Sequence, residues 1–295
     1  MIWRSATPRA TTRGPSSRSP TPRNTASTSA TILSDHPIAA RWRVVRDERR
    51  AALIPYLTAG YPTPARAVEA LRMVAAAGAD LVEVGLPFSD PLADGVTIQR
   101  STQAALDQGV TAARALELVD QAALDIPVVI MTYVNPVLAY GVERFLSDAH
   151  AAGASGLLLT DFPAGADPDL EERVAASPLA LIRLIAPTTQ PERLARAVRG
   201  ASGFIYLISR LGVTGARDEA PPDLSKHVAA IRAATRLPIA VGFGIGTAAQ
   251  ARATARVADG VVVGSALVEA LGGGGLSEAE RLVRALAAAV REERR

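Results

Sequence analysis

Eight short, nearly continuous aliphatic runs alternate with Ala/Arg/Glu-rich amphipathic stretches from about Ala39 to the end of the chain, and that alternation limits the fold more than any other feature. The runs are Leu53–Thr58, Leu81–Gly85, Pro127–Tyr133, Gly156–Thr160, Ala180–Ile185, Phe204–Ile208, Ile239–Gly242 and Val261–Gly264. Strands apolar on both faces are parallel strands covered on both sides. Between them the pattern predicts helices such as Pro64–Ala77, Thr111–Leu124, Pro191–Val198, His227–Ala234 and Ala248–Val257, with a last one through Glu278–Glu292. Eight βα units in about 240 residues predict a single (β/α)8 barrel domain over residues 35–295, with an open doubly wound sheet as the structural alternative.

Residues 1–34 are of another kind. They combine Ser, Thr, Pro and Ala with five arginines and no acid, so no face can be buried and a disordered extension is expected. An organelle transit segment and an over-long start share this composition. Without those arginines the formal charge of +3 becomes −2, and with few aromatics the body does not read as a nucleic-acid binder. No apolar run is long enough to span a bilayer as a helix, so a soluble protein is expected.

Missing residue types narrow the chemistry. There is no cysteine, which removes disulfides, thiolate catalysis and cysteine-ligated metal, and permits a reducing compartment. The three histidines (His36, His150, His227) form no local ligand pair, and the single lysine, Lys226, is placed in a helix rather than on a strand. Schiff-base and metal-dependent bond cleavage are therefore disfavoured, and no metal is expected. Carboxylates remain.

In a barrel of this kind the active site lies at the C-terminal strand ends. Glu83 interrupts the run Leu81-Val82-Glu83-Val84, where a carboxylate costs several kcal/mol unless paired or neutral. A general acid/base and a structural Glu–Arg pair both fit that position. The following loop brings Asp90 and Asp94 among Pro and Gly, as an active-site loop would, though each Asp alone also suits a turn. Gly242-Phe-Gly-Ile-Gly246 after the seventh strand and Gly264-Ser265 after the eighth fit phosphate binding by backbone N–H groups and a helix N-terminus. The stretch from Tyr206 to Arg217, with Arg210, Thr214 and Gly215, reads as a lid.

Taken together, Pro55-Tyr-Leu-Thr-Ala-Gly-Tyr-Pro62, Leu81-Val-Glu-Val-Gly-Leu-Pro-Phe-Ser-Asp-Pro-Leu-Ala-Asp-Gly95, Tyr206-Leu-Ile-Ser-Arg210, Gly212-Val-Thr-Gly215 and Gly242-Phe-Gly-Ile245 resemble the tryptophan synthase alpha chain family. The resemblance implies retro-aldol cleavage of indole-3-glycerol phosphate to indole and glyceraldehyde 3-phosphate, in the cytoplasm. It also implies a partner beta chain that carries PLP, in a heterotetramer of two alpha and two beta chains, with no cofactor in this chain. By position, Glu83 matches the family's acid/base and Asp94 the carboxylate on the indole N–H. Tyr206, Tyr133, Thr214, Gly215, Gly244, Gly264 and Ser265 match substrate contacts, while Asp90, Asn135, Asp161 and Arg210 match the partner surface and loop coupling. Val96 stands where the family usually has Pro and Gly246 where Ser is usual, and Thr160-Asp-Phe-Pro163 is an unusual fourth-strand end. Because a phosphate site alone does not select a reaction, a phosphosugar isomerase or epimerase on the same barrel is the alternative, and a non-enzymatic activator of a partner a third reading.

Overall fold

The computed structural model describes residues 36–208, 223–242 and 244–292. Helix α1 (Pro37–Asp47) precedes β1 (Ala52–Thr58), and the chain continues through α2 (Pro64–Ala76), β2 (Val82–Gly85), α3 (Val96–Asp107), α4 (Ala112–Ala122) and β3 (Val128–Thr132). Then follow α5 (Val134–Tyr140), α6 (Val142–Ala151), β4 (Ala154–Leu159), α7 (Pro168–Ala176), β5 (Ala180–Ile185), α8 (Pro191–Ala197) and β6 (Ile205–Ile208). The last elements are α9 (Leu224–Ala234), β7 (Ile239–Gly242), α10 (Ala248–Ala255), β8 (Gly260–Val263) and α11 (Ser265–Arg291). The strands pair in sequence order, all parallel, and β8 pairs with β1, so the sheet is a closed barrel as the apolar runs predicted. The expected extension over residues 1–34 lies outside the described residues, as do Arg210, Thr214 and Gly215 of the expected lid.

Strand alternation divides the core into two shells. Leu53, Leu57, Val82, Val84, Ile130 and Leu157 pack outward against the helices. Ala52, Ile54, Leu81, Val129, Leu158, Ile182 and Phe204 turn inward. The lower mouth is plugged by α1, which starts on Pro37 with the His36 imidazole accepting from the Ile38 N–H at 3.3 Å, and which sends Ile38 and Trp42 into the inner shell. The Trp42 ring sits 5.7 Å from that of Phe204. Beside the plug, the buried Arg50 guanidinium grips both oxygens of Asp80 at 2.7 Å, and Asp80 accepts the Leu53 N–H at 2.9 Å. This couples the starts of β1 and β2 on the face of a barrel that supplies stability.

Most element ends differ from the sequence reading by one or two residues; α9 begins at Leu224 rather than His227. The short helix after β8 and the final helix run together as α11, broken at Gly275, whose φ is +70°. The sequence pattern did not single out α1, α3 or α5–α7. α3 begins on Gly95 with no side-chain cap, and α5 carries Pro136 inside its first turn, so the usual start signals are weak or absent there.

Because Trp42 fills the lower mouth against Phe204, Trp42→Ala is expected to cost about 3–5 kcal/mol of unfolding free energy. Urea denaturation checks this; a loss under about 1 kcal/mol would mean that the plug is dispensable.

Candidate active site

The period-two alternation that turns Val82 and Val84 outward turns Glu83 into the barrel, in register with Tyr56 on one side and Val129 on the other. Glu83 is 2% exposed and its Oε1 has no hydrogen-bond partner. Among the described residues the structural Glu–Arg pair is not found: buried Arg50 is bound to Asp80, and buried Arg183 to Glu171 and, at 3.1 Å, to the Phe162 carbonyl. The Glu83 carboxyl is pushed up to about 8, first by burial and then by the charge of Asp94. It is protonated at neutral pH.

Asp94 reaches the same space from the loop after β2. A turn closed by Asp94 N–H donating to the Pro91 carbonyl at 3.0 Å shapes the loop, and the Gln99 amide donates to the Asp94 carbonyl at 2.9 Å. The Tyr133 phenol, at the end of β3, accepts the Ala93 N–H at 3.0 Å, which holds it against the Asp94 loop. Burial pushes Asp94 up to about 6 against the pull of that phenol. Between about pH 6 and 8 the site thus holds a neutral acid and an ionised carboxylate.

Two tyrosines line the site around the acids. A Cβ on Gly85 would meet the Tyr56 hydroxyl at 2.0 Å and one on Gly242 the Tyr206 hydroxyl at 2.1 Å, so each ring lies across the neighbouring strand where only glycine leaves room. Burial, then the nearby carboxylates, keeps both phenols neutral well above the usual tyrosine range. The Tyr56 hydroxyl lies 3.3 Å from Thr58 Oγ1, which is 2.6 Å from Ser101 Oγ, and Ser101 donates to the Ile98 carbonyl at 2.8 Å. Tyr56, Thr58 and Ser101 were not among the sequence-derived candidates. The inward phase of β1 (Ala52, Ile54, Tyr56, Thr58) was the signal that could have found the first two.

At the far end, Gly244 takes φ +79° and the Gly246 N–H donates to Gln250 Oε1 at 2.8 Å. Thr247 and Gln250 form a capping box on α10. A Cβ on Gly246 would come 3.0 Å from the Ala266 Cβ, which sets this turn beside the start of α11. Gly264 caps α11 without a side-chain bond, and exposed Ser265 is its first residue, so the positive helix end is open to an anion. Of the remaining candidates, Asp90 and Asn135 are exposed, and Asp161 Oδ1 accepts the Val134 N–H at 2.9 Å, tying the loop after β4 to the start of α5. Leu92, in the Asp94 loop, is 91% exposed.

The chain is similar to known proteins over most of its length. A family profile described as tryptophan synthase alpha chain matches residues 43–294. The tryptophan synthase alpha chain of Acidiphilium cryptum is 45% identical over 271 residues, covering 88% of this chain and 98% of its own. A structure of Mycobacterium tuberculosis tryptophan synthase superposes with a TM-score of 0.81 at 41% identity, over 86% of this chain and 98% of that one. The alpha subunit of tryptophan synthase from Legionella pneumophila gives 0.80 at 32% identity, over 86% and 98%.

The raised Glu83 value has a stability consequence. A carboxyl raised from 4.5 to about 8 by folding leaves stability intact below pH 4.5 and erodes it as pH rises towards 8, because only the unfolded chain can ionise freely. Glu83→Gln, which cannot ionise, should therefore gain on the wild type steadily from pH 5 to 8 in thermal unfolding. A difference in Tm that does not change with pH would show that Glu83 ionises normally.

Proposed function

The chain belongs to the tryptophan synthase alpha chain family, which cleaves indole-3-glycerol phosphate in tryptophan biosynthesis, and we propose that neutral Glu83 and ionised Asp94 carry out that cleavage. The observation that bears most on this reading is the buried, unpartnered Glu83 carboxyl pushed up to about 8 beside an Asp94 held near 6. The family's alpha chain carries no cofactor of its own, so the ring must accept the electrons of the breaking bond.

Glu83 donates its proton to ring carbon C3, the C3 to side-chain bond breaks, and the hydroxyl proton of the side chain passes back to the Glu83 carboxylate as the aldehyde forms. One proton moves from oxygen to carbon, and the acid returns to its starting state. Asp94 accepts the ring N–H and stabilises the positive charge that develops on the indoleninium. Neutral Tyr206 and Tyr56 face the same space without adding charge. Gly244, Gly264 and Ser265 bind the phosphate, joined by Thr214 and Gly215, which lie outside the described residues.

The reading extends to the setting. Residues 35–295 form one catalytic domain, active in the cytoplasm; among the described residues no helix is long and apolar enough to cross a membrane. The partner is a PLP-carrying beta chain, in a heterotetramer of two alpha and two beta chains that takes up indole. Exposed Asp90, Leu92, Asn135 and Leu138, around the catalytic mouth, suit its docking.

Release of glyceraldehyde 3-phosphate from indole-3-glycerol phosphate, with and without the beta chain, tests the assignment. Glu83→Gln should lose roughly 10²- to 10⁴-fold in rate; a variant as active as the wild type would remove Glu83 from the reaction. In the wild type kcat/KM should rise through about pH 6 as Asp94 ionises and fall through about pH 8 as Glu83 loses its proton. A profile flat from pH 5 to 9 would contradict that division of roles.

A further inference from the structure

Tyr56 and Glu83 are register partners on β1 and β2, and both are buried inside the barrel. The Tyr56 hydroxyl comes to rest against Gly85, the next inward position beyond Glu83 on the same strand. A phenol so placed is a ready donor to a carboxyl, yet Glu83 Oε1 has no hydrogen-bond partner. Counting protons shows where the phenol's proton goes instead. The Ile98 carbonyl can only accept, so Ser101 Oγ, 2.8 Å away, spends its one proton there. Thr58 Oγ1, 2.6 Å from Ser101 Oγ, must then donate to it. That leaves Thr58 no proton for Tyr56, and at 3.3 Å the phenol donates to Thr58. All three side chains are buried, so each proton is spent within the chain.

We propose that Thr58 and Ser101 are positioning residues for the cleavage reaction, a buried proton lock that turns the Tyr56 hydroxyl proton away from Glu83 and leaves the acid's own proton unshared. A phenol free to donate to Glu83 would stabilise its carboxylate, so the group would lose its proton to solvent before the substrate could take it. With the lock in place, the phenol oxygen offers the site lone pairs alone. The direction of the whole chain is set by Ser101 on α3, which bonds the carbonyl three residues back in its own helix and touches no reacting group. Glu83 is faced by Tyr56 from β1, Tyr206 from β6 and Asp94 from the loop after β2, while its register partner on β3, Val129, is apolar. The inference rests on the reading of Glu83 as the acid.

The experiment follows the Glu83 titration by carboxyl ¹³C NMR in the full chain, with Glu83→Gln to identify its signal, alongside pH profiles of kcat/KM with the beta chain present. Thr58→Val frees the phenol proton and is expected to lower both the Glu83 midpoint and the basic limb of the profile by about one pH unit. Ser101→Ala should move both in the same direction, because Thr58 is then free to donate to the phenol; it carries the test if Thr58→Val does not fold. Thr58→Ser keeps the hydroxyl and should keep the wild-type midpoint. Adding Tyr56→Phe to Thr58→Val should cancel the shift, since the proton at issue is gone. A midpoint unmoved in Thr58→Val or in Ser101→Ala would overturn the lock. So would a drop that persists in the double variant, which would trace it to altered packing. Full activity in Glu83→Gln would instead remove the catalytic reading of Glu83, and the NMR midpoints would still decide the lock.

Discussion

Closing eight parallel strands on themselves leaves no edge and sends every second side chain into a space that water cannot fill, and the properties of this protein follow from that confinement. Below, the space is packed with Ile54, Leu81, Val129, Ile182 and Phe204 and stoppered by Ile38 and Trp42. Above, the same inward phase delivers Tyr56, Glu83 and Tyr206. One alternation rule thus builds a dry plug at one end and a reactive site at the other. Glycines at 85 and 242 make the difference in texture, because they give up inward volume for the two tyrosine rings.

Confinement also separates two carboxyls of ordinary chemistry into an acid and an anion. Glu83, with no partner on Oε1, feels the full cost of desolvation and keeps its proton. Asp94 sits on a loop that is only half-buried and is steadied by the Tyr133 phenol, so its value rises less. The charge of Asp94 raises Glu83 further, which widens the gap between them. Barrel geometry, rather than any special residue, sets the acid beside the base.

The eight strands were legible because parallel strands covered on both faces need unbroken apolar runs, and the regular alternation of such runs with amphipathic stretches marks βα units. Glu83 was legible as the anomaly in such a run. Helix α5 was harder to read, since it carries Pro136 inside its first turn and starts without a side-chain cap. Tyr56 was hidden because a tyrosine in an apolar run reads as core until the neighbouring Gly85 is known to lie beneath its ring. The tie between Tyr133 and the Asp94 loop was hidden for a related reason: Tyr133 lies 39 residues beyond Asp94 along the chain, and no local spacing brings the two together.

The amino-acid sequence by itself determined the number and order of strands, the inward phase of Glu83 and the glycine turns at the phosphate end, because these depend on local periodicity and backbone freedom. Only the tertiary structure decided that Glu83 meets no arginine among the described residues, that Arg183 faces the β4 loop instead, and that the Tyr133 phenol ties down the Asp94 loop at Ala93. Which charge meets which is set by strand register and barrel closure. Desolvation and hydrogen bonding act over a few ångströms in space, and separation along the chain does not encode that distance.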